Sequence, residues 1–248
     1  MSPSTETHET RACAWEIKFL VTPALAEQIR DWVRTRLMPD PNARGEHGDS
    51  YRITSLYFDT ERWDVFHRRA SYGRGKCRIR RYGQSELAFL ERKLRTRLQL
   101  TKRRSIAELG DLERLSMSEP LPDWSGYWFH RRLLLRQLGP VCQVSYERTA
   151  RVAMTQYGPI RLTLDEDLRA RPAGGIWFSA PGGKAICADQ VILELKFRCA
   201  MPALFKCLVE EFVLNSQPLS KYRLAVIALN LADTALPAPI ETRSYEYA

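Results

Sequence analysis

"GKCRIRRYG" occupies residues 75–83 and "LAFLERKLR" residues 87–95. Both read as β-strands, because long charged side chains fall on every second residue. Arg78 and Arg80 share one face of the first stretch, and Glu91, Lys93 and Arg95 share one face of the second. An antiparallel sheet can present such a face to solvent while packing the other on a core. The same face can instead receive a polyanion. The rest of the chain weighs one answer against the other.

Strand after strand repeats the pattern. Glu16 and Lys18 alternate with Trp15, Ile17 and Phe19. Tyr146 and Arg148 share a face, and Arg161 and Asp165 lie opposite Leu162 and Leu164. Glu194, Lys196 and Arg198 alternate with Leu193, Leu195 and Phe197. A solvated outer face is the ordinary reading of any one such strand. It weakens when nearly every strand repeats it and several amphipathic helices also need an apolar face to cover. Helices on the outside would make the charged faces converge on the inside. The expected fold is therefore α+β: a closed antiparallel β-barrel with a charged lumen and helices packed outside. Lumen charges are costly without partners, which a bound polyphosphate or water would supply.

The totals agree with an anionic partner. The chain has 248 residues, a net charge of +9 and 44% apolar residues, with Arg well in excess of Lys. A guanidinium fork holds two phosphate oxygens at once. The six cysteines are scattered with no Cys-x-x-Cys pair, so reduced thiols are expected rather than disulfides or zinc. No signal peptide or membrane-length apolar run stands out, and the protein is read as cytoplasmic. One domain is expected over residues 14–235, between a flexible tail at 1–13 and a polar tail at 236–248. Helices are expected from Thr22-Pro23 toward Met38, from Asp59-Thr60 through Phe66, and as a pair within 107–138 broken by "SEPLPDWSG". Two more are expected at 202–214 and 222–232. The Gly-rich "SAPGGKAIC" lacks the first Gly and the Ser or Thr of a P-loop, and is read as a connection.

Eight short motifs then occur in order: "WEIKF", "SLYFDT", "CRIRRYG", "FLERK", "SYERTA", "IRLTLDEDL", "LELKF" and "LSKYRL". Together they resemble the VTC domain, the polyphosphate-polymerase branch of the CYTH-like triphosphate tunnel metalloenzymes. The resemblance runs from Trp15 to Asp233. It implies a β-barrel tunnel that threads a phosphate chain, with Mn²⁺ or Mg²⁺ as cofactor and ATP and polyphosphate as partners. It implies that Lys18, Arg78, Arg80, Lys93, Arg148, Arg161 and Lys221 act on the triphosphate. Arg69, Tyr146, Lys196 and Ser220 would help bind substrate. Glu194 would hold the metal, with Glu16 and Glu91 as helpers or as ion-pair partners of the lysines. In some family members a membrane protein partner exports the product; specific nucleic-acid binding is not expected.

Two departures bear on the activity. Gln217-Pro218 stand where the family's polymerase loop can carry a further lysine, and Ala14 stands where hydrolytic relatives have the first glutamate of Glu-x-Glu-x-Lys. A polymerase is the expectation. A tunnel-type triphosphatase and a non-catalytic binding module for polyphosphate or nucleic acid are the alternatives.

Overall fold

A computed structural model describes residues 7–12, 14–43, 48–95, 99–180 and 182–232. The polar tail expected from 236 lies outside the described residues, as do Asp233 and His47. In chain order the elements are β1 (Thr7–Ala12), β2 (Ala14–Val21), α1 (Pro23–Arg34), β3 (Met38–Pro39), β4 (Ser50–Asp59), β5 (Gly75–Tyr82), β6 (Leu87–Arg95) and β7 (Gln99–Glu108). Then come α2 (Tyr127–Leu135), β8 (Gly139–Thr155), β9 (Gly158–Pro172), β10 (Lys184–Ala185), β11 (Val191–Arg198), α3 (Ala203–Glu211) and α4 (Lys221–Ala228).

The strands form one antiparallel sheet in the order β1-β7-β6-β5-β4-β8-β9-β11-β2, with β10 on β9 and β3 on β8. Among the described residues the paired order runs from β1 to β2, and no strand pairing closes it into the ring expected from the sequence. The sheet is nevertheless strongly curled. Lys93 on β6 reaches Glu16 on the end strand β2, Nζ to Oε2, at 2.5 Å. Arg161 on β9 reaches Tyr51 on β4 across β8, also at 2.5 Å. Residues 7–12 are a paired strand along β7, not part of a flexible tail.

Helices α1, α2 and α3 cover the outer face, but α4 does not: its Tyr222, Ala225 and Val226 pack against Ile53, Tyr57, Val144 and Tyr146 on the lumen side, against the expectation that all helices lie outside. Ile29, Trp32 and Val33 of α1 and Phe205 and Leu208 of α3 bury against Phe19, Val21, Leu162, Leu164, Leu193 and Leu195. Trp128, Phe129 and Leu133 of α2 bury against Leu56, Ile79, Leu90 and Ala107. Each such side chain, taken fully from water, contributes about 1.5–3 kcal/mol. These apolar residues are the alternates of the charged ones, so outward packing sends the charges inward.

Local signals explain two joins, one as expected and one not. Thr22 accepts a hydrogen bond from the Leu25 N–H, and Pro23 opens α1. After β4, by contrast, Asp59 starts no helix. Its carboxylate accepts the N–H groups of Thr60, Val65 and Phe66 and ties a non-helical loop. Trp63, Arg68 and Ala70 in that loop have positive φ, a costly conformation for residues with a Cβ. The pair expected within 107–138 reduces to a 3-10 turn at Gly110–Ser116 and α2, because β7 continues to Glu108.

Candidate active site

A cavity of about 1360 Å³ fills the curl, lined by fifteen lysines and arginines against four glutamates. Strand register decides how these charges meet. Arg78 stands opposite Glu91, and Glu91 opposite Arg104. Glu194 stands opposite Lys18, Lys196 opposite Glu16, and Arg148 opposite Asp165.

The first cluster joins Glu16 and Glu194 through shared ammonium groups. Lys18 Nζ lies 2.8 Å from Glu16 and 3.8 Å from Glu194, and Lys196 Nζ lies 2.5 Å from Glu194 and 4.0 Å from Glu16. Burial pushes Glu16 up, but Lys196, Lys18 and Lys93 outweigh it and hold the carboxyl well below its usual range. Burial and Glu16 push Glu194 up, while Lys196 and Lys18 bring it down to about 2. Burial opposes the charge of Lys18, yet Glu194 and Glu16 hold it above its usual range. Both carboxylates are therefore ionised at neutral pH. Glu194 Oε1 is buried and close to Lys196, but the contact lacks hydrogen-bond alignment.

The second cluster surrounds Glu91. Arg78 at 2.7 Å, Lys102 at 2.9 Å and Arg104 at 2.5 Å all contact its carboxylate. The sequence expectation left Glu91 as a metal helper or an ion-pair partner of lysines; in the structure it is ion-paired with Lys102 and two arginines. The third cluster is the buried fork of Arg148 on Asp165, at 2.6 and 2.7 Å, joined by Lys221 Nζ at 2.5 Å.

Arg80 differs from all of these. It is buried, and its guanidinium meets only hydroxyls, Ser55 Oγ at 3.3 Å and Tyr146 Oη at 3.2 Å. Among the described residues no carboxylate lies within ion-pair distance of it. Arg161 meets Tyr51 Oη and, at 2.7 Å, Asp40. Lys76 donates to Ser220 Oγ, the N-cap of α4, at 2.7 Å.

Of the residues singled out from the sequence, Lys18, Arg78, Arg80, Lys93, Tyr146, Arg148, Arg161, Lys196, Ser220, Lys221, Glu16, Glu91 and Glu194 all line the one cavity. Arg69 does not. It is exposed and donates to the Arg62 carbonyl, while Arg68 beside it lines the cavity. The loop's irregular backbone decides between the two, and no periodicity reveals it. Among the residues not singled out are Lys76, Lys102 and Arg104 in the lining and Asp165 behind it. Lys76 stands two before Arg78, and Lys102 and Arg104 alternate on the third basic strand, so period two already marked them. Several rings also share the charged face: Arg104 lies over Phe89 at 4.5 Å and Arg80 over Tyr82 at 5.9 Å. They serve as apolar backing for guanidinium groups.

A curled antiparallel sheet around a cation-lined cavity, with most helices outside, is the arrangement of the triphosphate-tunnel class. The chain belongs to the VTC domain family, which it matches over residues 14–230. Its fold is similar to that of a candidate adenylate cyclase from Bacillus halodurans, with TM-score 0.53 and 15% identity over 86% of this chain and 95% of that one. A candidate adenylyl cyclase from Hippeastrum, described as having a dominant triphosphatase activity, aligns with TM-score 0.47 and 15% identity over 87% of this chain and 97% of that one. Among curated proteins no sequence matches. No helix among the described residues is long and apolar enough to cross a membrane.

Proposed function

We propose that the protein is a polyphosphate polymerase, a metal-dependent phosphotransferase that adds the γ-phosphate of ATP to a growing chain within the cavity, which serves as a tunnel. The observation that carries this reading is the unbalanced lining: fifteen cations against four glutamates, with Arg80 buried among hydroxyls alone. Buried cations without counter-charge favour an anionic guest. Arg78, Arg80, Lys93, Arg148, Arg161 and Lys221 would hold non-bridging oxygens, with Tyr146, Lys196 and Ser220 beside them. Phosphoryl transfer then needs little beyond positioning and charge stabilisation.

The donors of Glu16 and Glu194 fit Mg²⁺ or Mn²⁺: two ionised carboxylates with hard oxygens, one of them lacking an aligned hydrogen bond. Phosphate oxygens would complete the shell, since the two glutamates alone are too few. Glu16 and Glu194 would hold the ion, and it would supply charge screening to the phosphate oxygens. Glu91, already met by three cations, is not needed for it.

The state of the carboxylates supports transfer to a chain rather than to water. Each of the four lining glutamates is ion-paired with lysine or arginine, Glu147 through Arg52 at 3.5 Å. None is left as a base for water. The terminal oxygen of a polyphosphate is already ionised: it attacks the γ-phosphorus, the bond to the β-phosphate oxygen breaks, and ADP leaves. Incubation with ATP and Mn²⁺, with and without a short polyphosphate primer, should give long polyphosphate on a gel and little free phosphate. Accumulation of phosphate alone, across metals, would put a triphosphatase in its place.

A further inference from the structure

A second group of cations meets on the opposite face of β5 and β6. Register sets Cys77 opposite Arg92 and Arg92 opposite Arg103. All three point outward, because period two sends Lys76, Arg78, Glu91 and Lys93 to the lumen. α2 brings Arg132 and Arg136 over the same place. Between them lies a cleft of about 20 Å³, lined by Arg92, Arg132, Arg136, Cys77, Gly75 and Ser71 among others, with no carboxylate in its wall.

Like charges facing each other across a strand pair destabilise the sheet. Two of these arginines have other partners. Arg103 lies over the Trp128 ring at 4.5 Å, and Arg136 lies over Tyr72 at 3.8 Å while donating to Ser71 Oγ at 2.5 Å. Among the described residues Arg92 and Arg132 have no such partner: neither makes an ion pair or a hydrogen bond, and Arg92 Nε is buried and unbonded. Burial and the neighbouring Arg132 both work against the charge of Arg92. An arginine stays protonated all the same. The fold thus holds a concentrated, uncompensated positive charge well away from the lumen.

We propose that this cleft binds a phosphoryl anion, gripped by Arg92 and Arg132 with Arg136 and Ser71 at its rim. Guanidinium forks match the oxygens of a tetrahedral anion, and three of them suit a dianion better than a single carboxylate. A water needs about 10–15 Å³ of such space, so a cleft of about 20 Å³ takes one oxygen of the anion, leaves the rest of the phosphoryl group at its mouth and excludes a nucleoside. The proposal does not depend on the polymerase reading. It does place the anion behind the lumen clamp, since Cys77 lies between Lys76 and Arg78, and Arg92 between Glu91 and Lys93.

Calorimetry at fixed ionic strength tests it, using inorganic phosphate in one series and polyphosphate in another. The proteins are wild type, Arg80→Ala, Arg132→Gln and the double variant Arg92→Gln/Arg132→Gln. One phosphate-binding event should persist in Arg80→Ala, weaken at least tenfold in Arg132→Gln and vanish in the double variant. Loss of inorganic phosphate binding identifies a free anion as the ligand, and loss confined to polyphosphate identifies a chain segment. In phosphate-free buffer the double variant should melt no lower than wild type, because it removes repulsion. Titrations like wild type in both series, or a lower melting temperature without phosphate, would overturn the proposal.

Discussion

Arg80 lines the cavity and Asp165 is buried behind the lining residues Arg148 and Lys221, and the two buried ions stand in opposite situations. Arg80 has hydroxyl partners only, so its charge is held ready for something that arrives. Asp165 is fully buried under Arg148 and Lys221, and those two cations outweigh burial to keep its carboxyl far below the usual range. Replacing each therefore has a different consequence. Arg80→Ala should leave the melting temperature nearly unchanged and weaken tripolyphosphate binding or turnover by about 10²–10³-fold, the loss typical of one donor in a dry site. Calorimetry and an activity assay check it; unchanged affinity would remove Arg80 from the substrate ligands. Asp165→Asn should instead cost about 3–5 kcal/mol of stability, because it strands two buried cations. Denaturant unfolding reads this directly. In acid the same pair weakens as well: a depressed carboxyl contributes stability that is full above its unfolded value of 3.8, and that contribution is lost as pH falls from there through the folded one.

At the level of elements, β2 and β11 form the paired strands that bring Glu16 and Glu194 together through Lys18 and Lys196. Glu194→Gln keeps size and removes one charge from that pair. It should abolish metal-dependent turnover while leaving metal-free tripolyphosphate binding largely intact, since Arg78, Arg80 and Arg148 are untouched. Full activity with Mn²⁺ in that variant would refute the assignment. The charged face of each strand was legible because "WEIKF" and "LELKF" alternate charge and apolar bulk without interruption, while the resemblance, not the period, put Glu16 and Glu194 in one site. The lumen face of β5 to β7 was equally legible, and so was the Thr22-Pro23 start of α1. What period two cannot supply is anything that depends on irregular backbone or on distant partners. Asp59 resembles a helix cap, but a loop whose N–H groups converge on it uses the same carboxylate in another way. Arg68 and Arg69 are neighbours in sequence, and a positive φ at Arg68 helps decide which one lines the cavity. Glu91 alternates as Glu194 does; only the cross-strand register reveals that three cations already meet it.

The whole lumen responds to pH as a unit, because its charges share one enclosed space. Burial, then Lys18, Arg68 and Lys93, bring the Lys76 ammonium down to about 7. Burial brings Lys102 down to about 8 despite Glu91, and burial lowers Lys93 despite Glu16. For Tyr82 burial raises the phenol, but Arg80 and Arg104 bring it down to about 7. Each group sheds its proton in the folded, ligand-free protein at a lower pH than in the unfolded chain. Between pH 7 and about 9 the unfolded state therefore binds more protons, and stability without ligand should rise with pH. Binding runs the other way. A phosphate chain supplies the missing counter-charge and raises the lysines, so it takes up protons as it enters. Affinity for tripolyphosphate should be greatest below pH 7 and fall between 7 and 9, by up to about tenfold per pH unit for each lysine that must be recharged. The ligand's own terminal proton contributes alike in wild type and Lys76→Met, so the difference between them in buffers of unlike ionisation heat isolates the lysine. Melting curves of the free protein over the same range supply the second half of the test. A melting temperature that falls from pH 7 to 9, with buffer-independent heats, would mean that the lumen lysines are already charged before any phosphate arrives.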